Sequence, residues 1–458
     1  MVETEINDRD ITELRSSAVN HLWMHNRDWV KTGEEGGPDI VVEADGIEVT
    51  DIQGRTWIDV NGGYNSVNAG YGRTQIAESV RNQMLQIPYF PQGTTTAPLV
   101  QLAEKLSDIA PGDLTRSWPV SGGSEANETA LKIARSYHKR RGDSGRYKVI
   151  SRKGSYHGAT GGVMWLGGSG SVRSDYEPSM PGMVYAAQPN SYRCEFGGET
   201  PDECAVLCAK SIEDLILFHG PETVAALIAE PVSASSLAAV PGSPYWPMIR
   251  DICDRYGVLL IADEVITGFG RTGDLFGANT FDVVPDMINV AKQLTNGAIP
   301  MGAVLTRQFI YDTVVDAGGA PYNIELPHGY TYSGHPVACA AAMASLDILE
   351  QEKLVARVAE LSPYFEQGVH SLKGMPFIND IRNLGFAAGF TIESYPGEPA
   401  RRPFELAMKL LEKGFYVRYG GDTLQLGIPF TTEKSEIDAL INAMQDTLMD
   451  AHGMKKTG

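Results

Sequence analysis

Ile261-Ala262-Asp263-Glu264-Val265-Ile266-Thr267-Gly268-Phe269-Gly270-Arg271-Thr272-Gly273, followed by Asn289-Val290-Ala291-Lys292-Gln293-Leu294-Thr295, is the stretch that decides the fold. In each half an apolar run ends on a charge, Asp263 in the first and Lys292 in the second. A carboxylate at the end of such a run is costly unless it meets a cation or backbone amides. A lysine there loses hydration, which pushes its amine toward the neutral, nucleophilic form. Similar runs occur at Lys148-Val149-Ile150, Val224–Ala229, Val258-Leu259-Leu260-Ile261-Ala262 and Met287–Val290. Continuous rather than alternating apolar residues indicate strands buried on both faces, as in a mostly parallel sheet covered by helices. Helix-like stretches over 124–140 and 202–219 alternate with these runs, so the class is α/β.

Outward from this centre, residues 39–60 alternate and turn at Asp45-Gly46, which predicts a small antiparallel meander. Residues 1–35 read as helical, with Ile11, Leu14, Val19, Leu22 and Trp23 on one face. His21 and His25 share that face at metal-ligand spacing but lack a third ligand, so a surface or packed pair is the reading. Gly334-His335-Pro336 opens an alanine-rich helix over 337–351, and the sequence beyond about 355 reads as a second, smaller lobe. A length of 458 residues fits two lobes.

The formal net charge of −19 argues against nucleic-acid or anionic-membrane surfaces, which reward Lys and Arg. The five cysteines form no zinc or redox spacing; Cys204 and Cys208, one helical turn apart, read as core thiols, and no metal is expected. The acidic N-terminus lacks the pattern of a signal peptide and no apolar stretch is long enough for a bilayer, so the expected location is cytoplasmic.

Val120-Ser121-Gly122-Gly123-Ser124-Glu125-Ala126-Asn127 leads into a helix, and free N–H groups at such a start suit a phosphate. Tyr156-His157-Gly158 follows a strand-like run, where open α/β sheets bind ligands. An aromatic there either stacks on a cofactor ring or packs under a loop. A lysine that forms a Schiff base and an acid that pairs with a protonated pyridine are what pyridoxal 5′-phosphate (PLP) chemistry requires together. Asp263 and Lys292, in order at the ends of neighbouring strands, point to that cofactor.

These segments, with Ala229-Glu230-Pro231 and His328-Gly329-Tyr330-Thr331-Tyr332-Ser333-Gly334-His335-Pro336, resemble the class III (ω-amino) aminotransferases of fold type I, in order from Trp57 to Pro429. The resemblance implies a large PLP-binding domain over 68–335 and a small α+β domain over 336–458. Residues 1–67 would contribute to the small domain and a dimer interface. Lys292 would carry PLP and move the proton between substrate Cα and C4′. Asp263 would bind the pyridine nitrogen, Val265 and Tyr156 the two ring faces, and Gly123 and Ser124 the phosphate. Thr331 of a neighbouring subunit would join the phosphate, so a homodimer, or a tetramer of dimers, would share active sites. Glu230 and His157 would belong to the network around the cofactor.

Relatives that use 2-oxoglutarate carry a second glutamate where this chain has Ser235, whereas Tyr416-Val417-Arg418-Tyr419-Gly420-Gly421-Asp422 resembles the pyruvate-dependent ω-transaminases. Arg418 would pair with the α-carboxylate of pyruvate or alanine. Tyr64, Asn65, Phe90 and Trp165 would line the substrate pocket, and Gln293 replaces the family's glycine after the lysine. The implied reaction moves nitrogen from an amine or ω-amino acid to pyruvate. The alternatives are an aminomutase or racemase, or a transaminase using 2-oxoglutarate. A non-catalytic PLP-binding regulator is a third class.

Overall fold

The continuous apolar runs become adjacent parallel strands. A computed structural model describes residues 11–25, 28–91, 93–168, 173–233, 238–319 and 324–453. The meander is β1 (Val41–Asp45), β2 (Glu48–Asp51) and β3 (Thr56–Asp59), with the β1–β2 turn at Asp45-Gly46 as the sequence predicts. The central strands are β4 (Arg116–Val120), β5 (Lys148–Arg152), β6 (Met183–Ala186), β7 (Val224–Ala229), β8 (Leu259–Asp263), β9 (Met287–Val290) and β10 (Gly302–Thr306). They form one sheet in the order β4-β10-β9-β8-β7-β5-β6. From β9 through β6 the pairs are parallel; β10 alone runs against both of its neighbours.

Burial on both faces explains the lack of alternation. Leu260 and Ala262 of β8 enter one apolar cluster, while Leu259 and Ile261 enter another on the opposite face. The helices Gly123–Arg140 and Pro201–His219 fall where the sequence places them. The alanine-rich helix Pro336–Gln351 packs on the helices Thr74–Gln86 and Ala97–Ile109 and on the turn after β9.

Five more strands lie late in the chain: β11 (Ile378–Leu384), β12 (Ala387–Ile392), β13 (Phe415–Tyr416), β14 (Arg418–Gly420) and β15 (Thr423–Gly427). An antiparallel sheet takes the order β11-β12-β15-β14, whereas β13 leaves it and pairs in parallel with β3. The β1-β2-β3-β13 sheet therefore joins the two ends of the chain.

The N-terminal reading needs correcting. The first described helix, Ile11–His21, stops at His21, and a second short one spans Trp29–Glu34. Trp23 lies past the end of the first helix and is 95% exposed. His25 sits in a turn, so His21 and His25 share no helical face. Without an apolar surface to cover, nothing holds that helix beyond three turns.

Candidate active site

β8 and β9 are neighbours, with Asp263 opposite Asn289 in register. That register sets the first half of the site. Asn289 donates from Nδ2 to Asn127 Oδ1 at 2.6 Å, and Asn127 donates from Nδ2 to Asp263 Oδ2 at 2.9 Å. His157 Nδ1 lies 2.7 Å from the same Asp263 oxygen, and the Val265 amide donates to the other at 3.1 Å. The buried carboxylate is thus fixed in plane by three donors.

Behind His157 stands a second carboxylate. Glu230 Oε2 lies 3.9 Å from His157 Nε2 and 2.7 Å from an Arg152 guanidinium nitrogen, and Glu230 Oε1 accepts the Tyr156 amide at 3.1 Å. Burial lowers the His157 pKa, but Glu230 and the Asp263 hydrogen bond outweigh it and hold the imidazole above its usual range. Burial raises Glu230, yet His157 and Arg152 keep its carboxyl below the ordinary value. Charges therefore alternate along Arg152, Glu230, His157 and Asp263. The last of them, Asp263, faces the cavity, where a cation completes the series.

Lys292 begins the turn after β9 with φ +48°, a left-handed conformation that costs a non-glycine residue on the order of 1–3 kcal/mol. The neighbouring residues hold it there. Gln293 Oε1 accepts the Asn68 amide at 3.0 Å, Ser345 Oγ donates to the Gln293 carbonyl at 2.9 Å, and Asn296 Oδ1 accepts the Ala69 amide at 2.9 Å. Burial above all, then the positive charge of Arg418, brings the Lys292 amine down to about 7, against the opposing pull of Asp263.

The helix Gly123–Arg140 starts at the cavity with no side chain capping it. Gly158 lets its own loop close over this start: a Cβ on Gly158 would lie 2.5 Å from Ser124 Oγ. The cavity holds about 390 Å³, a size typical of small-molecule sites. Around it stand Asp263, Lys292, Gly123, Ser124, Tyr156, His157, Glu230 and Val265. An uncapped helix start, a buried carboxylate facing the cavity and a lysine whose amine is brought down to about 7 are the groups that PLP needs, so the residues fit that group.

The remaining expected residues stand elsewhere. Arg418, on β14, places its guanidinium 5.1 Å from the Tyr64 ring centroid and close enough to Lys292 to act on its charge, though neither Arg418 nor Tyr64 lines the cavity. Asn65 is buried against β15, where a Cβ on Gly427 would fall 2.1 Å from Asn65 Oδ1. Trp165 is buried in the turn Val163–Leu166, its carbonyl accepting the Tyr185 hydroxyl. Phe90 and Thr331 are exposed, and the Thr331 carbonyl accepts Tyr89 Oη at 2.8 Å. Ser235 lies outside the described residues.

Sequence reasoning missed Asn289, Arg152 and the bridging role of Asn127. The signal for two of them was present. Asn289 interrupts an apolar run and Arg152 ends one, the same pattern that drew attention to Asp263 and Lys292.

The model of the class III aminotransferase family matches residues 32–448. The chain belongs to that family. A β-alanine–pyruvate aminotransferase of Pseudomonas aeruginosa is 42% identical over 422 residues, covering 90% of this chain and 92% of the relative. An ω-amino acid–pyruvate aminotransferase of Pseudomonas putida is 40% identical over 412 residues, 90% of this chain and 92% of the relative. A crystal structure of an ω-transaminase from Pseudomonas jessenii in complex with PMP superposes with TM-score 0.92 at 30% identity, covering 96% of this chain and 98% of that one. The protein is thus a class III aminotransferase of fold type I, in a PLP-dependent family. Among the described residues no helix is long and apolar enough to cross a membrane.

Proposed function

We propose that this aminotransferase moves the amino group of an amine or ω-amino acid to pyruvate, leaving an aldehyde or ketone and alanine. The observation that carries the acceptor is Arg418. It is a partly buried guanidinium on Tyr64, near Lys292, and suited in fork geometry to an α-carboxylate. The names of the two Pseudomonas relatives, both pyruvate aminotransferases, support the same reading.

Bound PLP supplies an electron sink that acidifies the substrate Cα–H. The chain's residues do the rest. Asp263, oriented by Asn127, His157 and the Val265 amide, would hold the pyridine N–H. The uncapped start at Gly123 and Ser124 would take the phosphate, joined by Thr331 of a second subunit. Val265 and Tyr156, both lining the cavity, would bracket the ring. Lys292, its amine brought down to about 7, would carry the cofactor and, once released, take up the proton that leaves the substrate Cα. Arg418 holds the carboxylate of pyruvate and turns aside for a donor that lacks one.

A donor panel assayed with pyruvate and with 2-oxoglutarate tests this. Faster turnover with pyruvate is expected, and a clear preference for 2-oxoglutarate overturns the acceptor. Turnover without any keto acid would mark an aminomutase or racemase instead.

A further inference from the structure

Away from the cavity, the structure assembles a group that sequence spacing hides. The Sγ atoms of Cys194, Cys204 and Cys208 all lie within 4.8 Å of one another, with Cys204 and Cys208 3.9 Å apart. We propose that these three thiols form a binding site for a thiophilic d10 metal ion such as zinc, cadmium or copper(I).

Two of the ligands come from one helix. In Pro201–His219, Cys204 and Cys208 lie four residues apart and so on one face, both fully buried. The third arrives by a loop that the structure holds in place. Gly197 turns the chain at φ +75°, and Gly198 lets it pass so close that a Cβ would lie 2.7 Å from the Cys204 amide nitrogen. Thr200 and Glu203 then close the capping box, with Glu203 Oε2 also accepting the Glu199 amide at 3.0 Å. Cys194 is thereby fixed against the first turns of the helix, and being only partly buried it leaves the group a way in.

The spacing suits such an ion. At a zinc–sulfur distance of about 2.3 Å, sulfurs sharing one ion sit roughly 3.8–4.0 Å apart, so closing the triad needs shifts of less than about 1 Å. Soft thiolates select d10 cations over magnesium or calcium. Burial raises Cys194, but hydrogen bonds from the Cys204 thiol and the Phe196 and Gly198 amides prevail and hold it below the ordinary thiol range. Burial pushes Cys204 well up and Cys208 up to about 11. Binding an ion releases the thiol protons, so affinity depends on pH.

Cadmium added to the reduced holoenzyme tests the site. The expected result is one ion per chain, an ultraviolet cadmium–thiolate charge-transfer band, affinity that rises with pH, and a higher melting temperature. Cys194→Ser, at the one thiol of the three that is only partly buried, is expected to weaken cadmium binding more than about tenfold, while Cys253→Ser leaves it unchanged. Absence of the band in fully reduced protein overturns the proposal, as does a band undiminished in Cys194→Ser. If Cys208→Ser fails to fold, the Cys194 variant decides alone. Its circular dichroism and cofactor absorbance report that it is native.

Discussion

Lys292 is the residue where backbone and charge converge. With its amine down to about 7, the protonated form, which cannot attack an aldehyde, gives way near neutral pH. Cofactor capture by the apoprotein is therefore expected to accelerate as pH rises through about 7 and to level off above it, which stopped-flow absorbance reads directly. Lys292→Ala should lower transamination by at least about 10²–10⁴-fold, the range of a lost acid–base group. Borohydride reduction followed by peptide mapping should label Lys292 in the native enzyme. For Arg418→Ala, loss of a charge-assisted hydrogen bond worth roughly 1.5–3 kcal/mol should raise the KM for pyruvate about 10- to 100-fold. Donors without a carboxylate should keep their kcat/KM. A uniform fall for both substrates would instead mark Arg418 as structural.

At the scale of elements, the capping box at Thr200 gives a clean test. Thr200→Ala removes the acceptor for the Glu203 amide and should cost about 1 kcal/mol in denaturant unfolding, with transaminase activity unchanged. The sheet also explains what the sequence made legible. Strands β5, β7, β8 and β9 are flanked on both sides and sandwiched between two apolar clusters, so apolar residues run through them without alternating, broken only at polar positions such as Asn289 and at strand ends such as Arg152 and Asp263. β4 was hidden because Arg116, Ser117 and Pro119 break its pattern at the edge of the sheet, where Pro119 is tolerated. The reversed direction of β10 leaves no trace in composition, since orientation is set by the connection and not by the residues. The cavity's acid and lysine could be read because ionisable groups at strand ends stand out against apolar neighbours. Arg418 could be ranked only by resemblance, and the placement of Asn65 against Gly427 depends on a strand hundreds of residues away.

For the whole molecule, the proposed sharing of sites between subunits makes a sharp forecast. Thr331 is exposed in its own chain and stands outside that chain's cavity. Mixing inactive Lys292→Ala subunits with Thr331→Ala subunits should regenerate hybrids with one intact site, so that activity exceeds the sum of the two parents. No gain on mixing, with hybrids confirmed by native mass spectrometry, would place each site within one chain. The sheet that joins β3 to β13 adds a constraint of another kind. On the ribosome, at about 5–20 residues per second, β3 waits roughly 20–70 s before β13 emerges to cover its open edge. During that interval the meander is an unpaired template for neighbouring nascent chains. Arg418, two residues past β13, then settles among the last parts of the protein, so a prematurely terminated chain carries both an open edge and an unfinished site.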